Sequence, residues 1–121
     1  MPEEYTALAT AMKALTQQAA TGEIKLPMAE DGWNTRPDED SWGEIRLEFE
    51  TGNLNGDGRT TRRAYEGSVD LYSRRRSGCG WKELIEETLE NICGECWGLN
   101  WHGYERETSL FHWEWVFQVE E

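Results

Sequence analysis

The chain has 121 residues, with twelve Lys and Arg against twenty-four Asp and Glu, a formal net charge of −12. That excess of carboxylates argues against nucleic acid or an anionic membrane as the main partner, since both are bound through a cationic footprint. The length is that of one domain, residues 1–121, with a single core, and no apolar run approaches the ~20 residues needed to span a bilayer.

The N-terminal Met1-Pro2-Glu3-Glu4 is acidic where a signal peptide is positive, so the expected setting is a cytoplasm, where thiols stay reduced. Three cysteines, an odd number, do not make a disulfide framework. From Pro2 to Ala20, Tyr5, Leu8, Ala9, Met12 and Leu15 recur at helical spacing, and Pro2 suits a first turn. Thr21-Gly22 is the expected stop. Ile24, Leu26 and Met28 alternate and fit a short strand, whereas residues 34–41, with Arg36-Pro37 and Asp38-Glu39-Asp40, read as an acidic loop.

Glu44 to Thr51 alternates with Ile45, Leu47 and Phe49 inside, and Tyr65 to Ser73 alternates with Tyr65, Gly67, Val69 and Leu71 on one face. The segment 52–58 between them is rich in Gly and Asn, which tolerate positive φ, so the pair reads as a hairpin with a long loop. Trp81, Leu84, Ile85, Thr88, Leu89 and Ile92 trace an amphipathic helix that Gly94 should end. A second hairpin closes the chain. Trp97, Leu99 and Trp101 share one face of its first strand, Phe111, Trp113, Trp115, Phe117 and Val119 one face of its second, and the turn falls near Glu105–Thr108. Hairpins with one apolar face each ask for helices on that side, so the fold class is α+β: a mainly antiparallel four- to five-stranded sheet with two helices on one face. Most of the seven Trp should be buried, leaving a few for a subunit contact.

Candidate chemistry is sparse. Cys93-Gly94-Glu95-Cys96 is a CxxC, with Cys79, His102 and His112 as conceivable further zinc ligands, but a zinc site wants two close pairs and only one is present. A thioredoxin-like role fits less well, because that motif opens a helix and this one closes it. Asn53, Asn55, Asp57 and Gly58 mimic half of an EF-hand loop, yet the twelfth position is Ala64 rather than Glu. No GxSxG elbow, HExxH motif or phosphate-binding Gly loop occurs, so neither an enzyme nor a cofactor is expected. Two arginine groups, Arg59, Arg62 and Arg63, then Arg74, Arg75 and Arg76, flank the strand that ends at Ser73. Phosphate contacts with nucleic acid are one use for them, but in so acidic a chain they better suit an acidic surface on a partner or neighbouring subunit. With Asn55 and Asp57 of the 52–58 loop, and the 34–41 loop, they are the candidate interface residues; plain solvent exposure is the alternative.

Several segments together resemble the tail terminator, or head–tail joining, proteins of lambda-type long-tailed phages and prophages. They are the Leu8 to Leu15 helix, Pro27-Met28-Ala29-Glu30 running to Trp33, Tyr65-Glu66-Gly67-Ser68-Val69-Asp70-Leu71-Tyr72-Ser73-Arg74, Trp97-Gly98-Leu99-Asn100, Tyr104-Glu105 and His112-Trp113-Glu114-Trp115-Val116-Phe117. Arg74-Arg75-Arg76 departs from the family, whose members tend to carry acidic or Gly residues there. The resemblance implies a structural protein of the virion tail, assembled in a bacterial cytoplasm. It implies a ring of copies, often hexameric, formed on the tail if not in solution. Its partners would be the major tail tube protein and a head–tail connector or neck protein, with DNA only as the genome passing through the lumen. The composition also suits a different class, an acidic binding module or inhibitor that occupies a basic site on a partner protein.

Overall fold

The structure, a computed structural model, describes residues 2–15, 26–33, 39–54 and 60–120, with the side chains of 51–54, 60–63 and 79 left aside. Five strands, β1 (Met28–Glu30), β2 (Ser41–Leu54), β3 (Thr60–Ser73), β4 (Trp97–Glu105) and β5 (Leu110–Glu120), and two helices, α1 (Glu3–Ala14) and α2 (Trp81–Cys93), make an α+β fold. The sheet order is β1-β2-β3-β5-β4. Both expected hairpins form: β2 pairs antiparallel with β3, and β4 with β5. Between the ribbons β3 pairs antiparallel with β5, and β1 adds to β2 as a short parallel strand.

The core follows from strand parity. Val69 stands opposite Trp115 and Leu71 opposite Trp113, so their side chains share one face. Ile45 on β2 joins them, and all five are buried. Tyr5, Leu8, Ala9 and Met12 of α1, then Trp81, Ile85 and Leu89 of α2, close over this floor. Helix α1 is tied to the sheet at Glu30, which accepts a hydrogen bond from Tyr5 Oη and pairs with Lys13, each at 3.1 Å. In α2 the carboxylate of Glu86 accepts from Trp115 Nε1 at 3.0 Å, so the indole buries its ring without stranding its donor. Gly94, at φ 60°, stops α2 as anticipated.

Helix α1 is described only to Leu15, so the predicted continuation to Ala20 and the Thr21-Gly22 stop lie outside the described residues, as does Ile24. Leu26 is buried but precedes the strand rather than joining it.

Two face assignments are corrected, each by a bulge. Between Leu47 and Phe49 the β2–β3 register shifts at Glu48, which places Phe49 opposite Glu66 on the helix-free face, 52% exposed instead of inside. Between Leu99 and Trp101 the β4–β5 register shifts at Asn100, so Trp101 stands opposite Glu114 on the helix-free face while His102 turns to the helix side opposite Trp113. One extra residue in a ladder of period two moves everything after it to the other face. The continuing apolar alternation conceals both slips.

Gly67 sits where β3 is crowded by both neighbours: a Cβ there would lie 2.3 Å from the Arg46 carbonyl oxygen and 2.5 Å from the Phe117 ring. Gly67→Ala should therefore lower the unfolding free energy by about 1–3 kcal/mol, read from the urea midpoint at unchanged slope.

Candidate interaction face

The face that the helices leave uncovered carries the polar parity of every strand. One line of neighbours across it is Trp42, Tyr72, His112 and Gly103, each opposite the next in register. Trp42 and Tyr72 stack at 6.1 Å, Tyr72 and His112 at 4.3 Å, and Trp101 packs against His112 at 5.3 Å. Trp101 occupies the space that a side chain at Gly103 would need, its ring lying 2.6 Å from the position of a Cβ there. The next line is Glu44, Asp70 and Glu114, with Trp101 beyond it on β4.

His112 is the node of this face. Its Nε2 lies 2.7 Å from Asp70 Oδ1, and its Nδ1 3.6 Å from Glu105 Oε2. Burial works against the imidazolium, but the Asp70 hydrogen bond and the charges of Asp70, Glu105 and Glu114 outweigh it, so the pKa is raised above the ordinary 6.5. Burial and the neighbouring Asp70 and Glu44 carboxylates push the Tyr72 phenol up as well, keeping it neutral. Glu44 is anchored by Arg46 at 3.0 Å. Beside the node an open cleft of about 360 Å³ is lined by Asn100, Trp101, Glu105, His112 and Glu114.

Of the arginines singled out in the sequence, Arg74, Arg75 and Arg76 form an exposed corner at the end of β3. Arg74 donates to the Glu39 carbonyl and lies 5.5 Å from the Trp42 ring, Arg75 pairs with Asp40 at 2.8 Å, and Arg76 lies 5.6 Å from the Phe111 ring. The corner thus grips the last residues of the acidic 34–41 loop, of which 34–38 lie outside the described residues. Arg62 and Arg63 belong to the opposite end of β3, opposite Asn53 and Gly52, with their side chains undescribed; Arg59, Asn55 and Asp57 lie outside the described residues.

Of the conceivable zinc ligands, the two histidines lie on opposite faces of the sheet. His102 stacks on Trp113 at 4.6 Å on the helix side, while His112 is on the other face. Cys93 is buried, its thiol pushed up to about 12 by burial and then by Glu4, whereas Cys96 is exposed. The described residues contain no group of three His, Cys, Asp or Glu arranged to hold a metal ion. They also contain no helix long and apolar enough to cross a membrane. No family model matches the chain, and no curated protein matches it.

The His112–Asp70–Glu105 node was not named from the sequence. Parity marks Asp70, Tyr72, His112 and Glu114 as outward, but the β3–β5 pairing that brings 70 beside 112 joins segments 42 residues apart.

Because the folded-state pKa of His112 is raised, protonation strengthens the fold: the contribution is complete below about pH 6.5 and is lost as pH rises through the folded-state value. The His112 ring signals should titrate above 6.5 by NMR, and the wild-type advantage in stability over His112→Gln should shrink across that window. In Asp70→Asn the hydrogen-bonded charge is gone while the burial remains, so the His112 midpoint should fall below its wild-type value.

Proposed function

We propose that the chain is a structural assembly protein that caps the tail tube of a long-tailed phage or prophage and joins it to the head or neck, acting as a ring of copies on the tube. One observation carries the reading beyond the resemblance itself. The two most characteristic stretches, Glu66 to Ser73 and His112 to Phe117, are adjacent paired strands at the centre of the sheet, with Gly67 opposite Phe117 and Tyr72 opposite His112. They share one structural unit.

The rest of the fold is compatible with a scaffold that works by docking. One sheet face is free of helices, β4 is an edge strand, and the β2–β3 ribbon runs past β5, whose pairing with β3 stops at Ala64 and Glu120. A free face and an open edge are the usual means of joining copies. If the helix-free face with Glu44, Asp70 and Glu114 turns to the lumen, its carboxylates repel passing DNA and keep it from sticking. Carboxylates mapped outside the channel in an assembled ring would remove that element of the proposal.

A second reading, an acidic module that occupies a basic site on a partner protein, is favoured by the same face, where Phe49 and Trp101 stand exposed among carboxylates. Native mass spectrometry of the chain with its partner separates the two. A module binds as a monomer or dimer, whereas a terminator assembles into a ring on tube ends.

Mixed with the cognate tail tube protein, the chain should shorten the tubes and appear as density at one end in electron micrographs; tubes of unchanged length with bare ends would refute capping. Replacing Arg74 and Arg76 by Glu should abolish or severely weaken capping while the thermal midpoint moves by only a few degrees, because both side chains are exposed.

A further inference from the structure

We propose that the cleft walled by Trp101, Glu105, His112 and Glu114 is a receptor for an arginine side chain presented by a partner protein. Three features of the cleft point to that chemistry.

The first is the aromatic wall. Trp101 is brought to the helix-free face by the Asn100 bulge and seated over Gly103 and against His112, yet 44% of it stays exposed. An indole fixed in place and left in water is a ready surface for a planar cation.

The second is uncompensated charge. Four described carboxylates elsewhere pair with a Lys or Arg: Glu30 with Lys13, Glu44 with Arg46, Asp40 with Arg75 and Glu86 with Lys82. Neither carboxylate at the cleft pairs with a Lys or Arg among the described residues, and the two share only the His112 imidazole between them. Glu114 accepts from Asn100 Nδ2 at 2.6 Å, which fixes its orientation without neutralising it, and Glu105 faces only the His112 ring and Thr108. Charge complementarity therefore calls for a cation and excludes phosphate or another anion.

The third is shape. The cleft is open, with the exposed Trp101 ring as its apolar wall. A small free amine would leave that indole face in water, whereas a side chain carried on a protein segment covers it. Guanidinium fits better than ammonium because its plane stacks on the indole while its fork meets carboxylate oxygens.

The inference is independent of the tail-capping reading, and the tube assay decides that reading separately. The probe is a hexa-arginine peptide titrated into the intact chain, followed by tryptophan fluorescence and calorimetry. Saturable binding is expected. It should weaken at least about tenfold in Trp101→Leu and in Glu105→Gln/Glu114→Gln, and hexa-lysine should bind several-fold less tightly. The double variant alters only exposed or half-buried carboxylates, so it serves even where Trp101→Leu fails to fold. Glu83→Gln/Glu87→Gln removes the same charge from the exposed side of α2 and should leave binding within about twofold. An equal loss in this control, or hexa-arginine binding indifferent to Glu105→Gln/Glu114→Gln, would overturn the cleft as the site.

Discussion

The pairing of β3 with β5 is the constraint on which the rest of the molecule depends. It joins two ribbons, each local in sequence, into one sheet, and it sets Val69 and Leu71 against Trp115 and Trp113. A buried indole removes roughly 150–250 Å² from water, an upper-bound gain of about 4–6 kcal/mol at ~25 cal/mol/Å². Two such rings in adjacent inward positions give this register a preference that no slip by one residue can match, because a slip sends both to solvent. The helices are secondary to that floor: each presents one apolar stripe, and neither has another surface to cover. The floor is not wholly satisfied, however. Glu86 accepts from Trp115, but the buried Nε1 groups of Trp81 and Trp113 have no hydrogen-bond partner among the described residues. Each costs about 1–3 kcal/mol, so the rings stay inside on the strength of their apolar area alone.

The same pairing builds the opposite face. Parity that sends Trp113 and Trp115 inward sends His112 and Glu114 outward, and β3 supplies Asp70 and Tyr72 as their neighbours. The outer surface is therefore organised in spite of its exposure: a stacked line of aromatic rings lies beside a line of carboxylates, with His112 bonded across them. Asp70 is only 4% exposed, so the node sits on the sheet as a small half-buried polar layer. Such a layer holds its geometry because the bond between imidazole and carboxylate is charge-assisted and short. A face ordered in this way can offer a partner fixed groups rather than a cloud of solvated side chains, and that property is shared by both readings of the function.

How much of this was legible in the sequence follows from the range of the forces involved. The α2 helix, both hairpins, the turn after Glu105 and the α+β class were readable because each rests on periodicity or turn chemistry within about fifteen residues. Phe49 and Trp101 were placed on the wrong face because bulges at Glu48 and Asn100 change the count without changing the alternation of residue types. Nothing local marks those positions; the partner strand decides them. The Arg74–Arg76 corner was visible as charge, but its local use, gripping Glu39 and Asp40, depends on the start of β2 lying beside the end of β3. The His112 node was hidden for the related reason that the order of strands in a sheet is not written in any one of them.

The bulge in β4 shows how one inserted residue serves several ends. An edge strand of nine residues with no Lys or Arg invites uncontrolled pairing with other chains. Displacing Asn100 from the ladder bends that edge and interrupts the row of free backbone groups, which limits such pairing. The same slip lets His102 stack on Trp113 from the helix side, while Trp101 is turned to the far side against His112. Gly103 completes the arrangement: with any side chain there the indole could not lie against the strand. Removing Asn100 would therefore straighten the edge and leave the faces on either side of it unchanged. Without that residue Leu99 would stay opposite Trp115, Trp101 opposite Glu114 and His102 opposite Trp113, in unbroken alternation. The two halves of β4, one alternation in phase with the core floor and one out of it, are thus reconciled by a single unpaired residue.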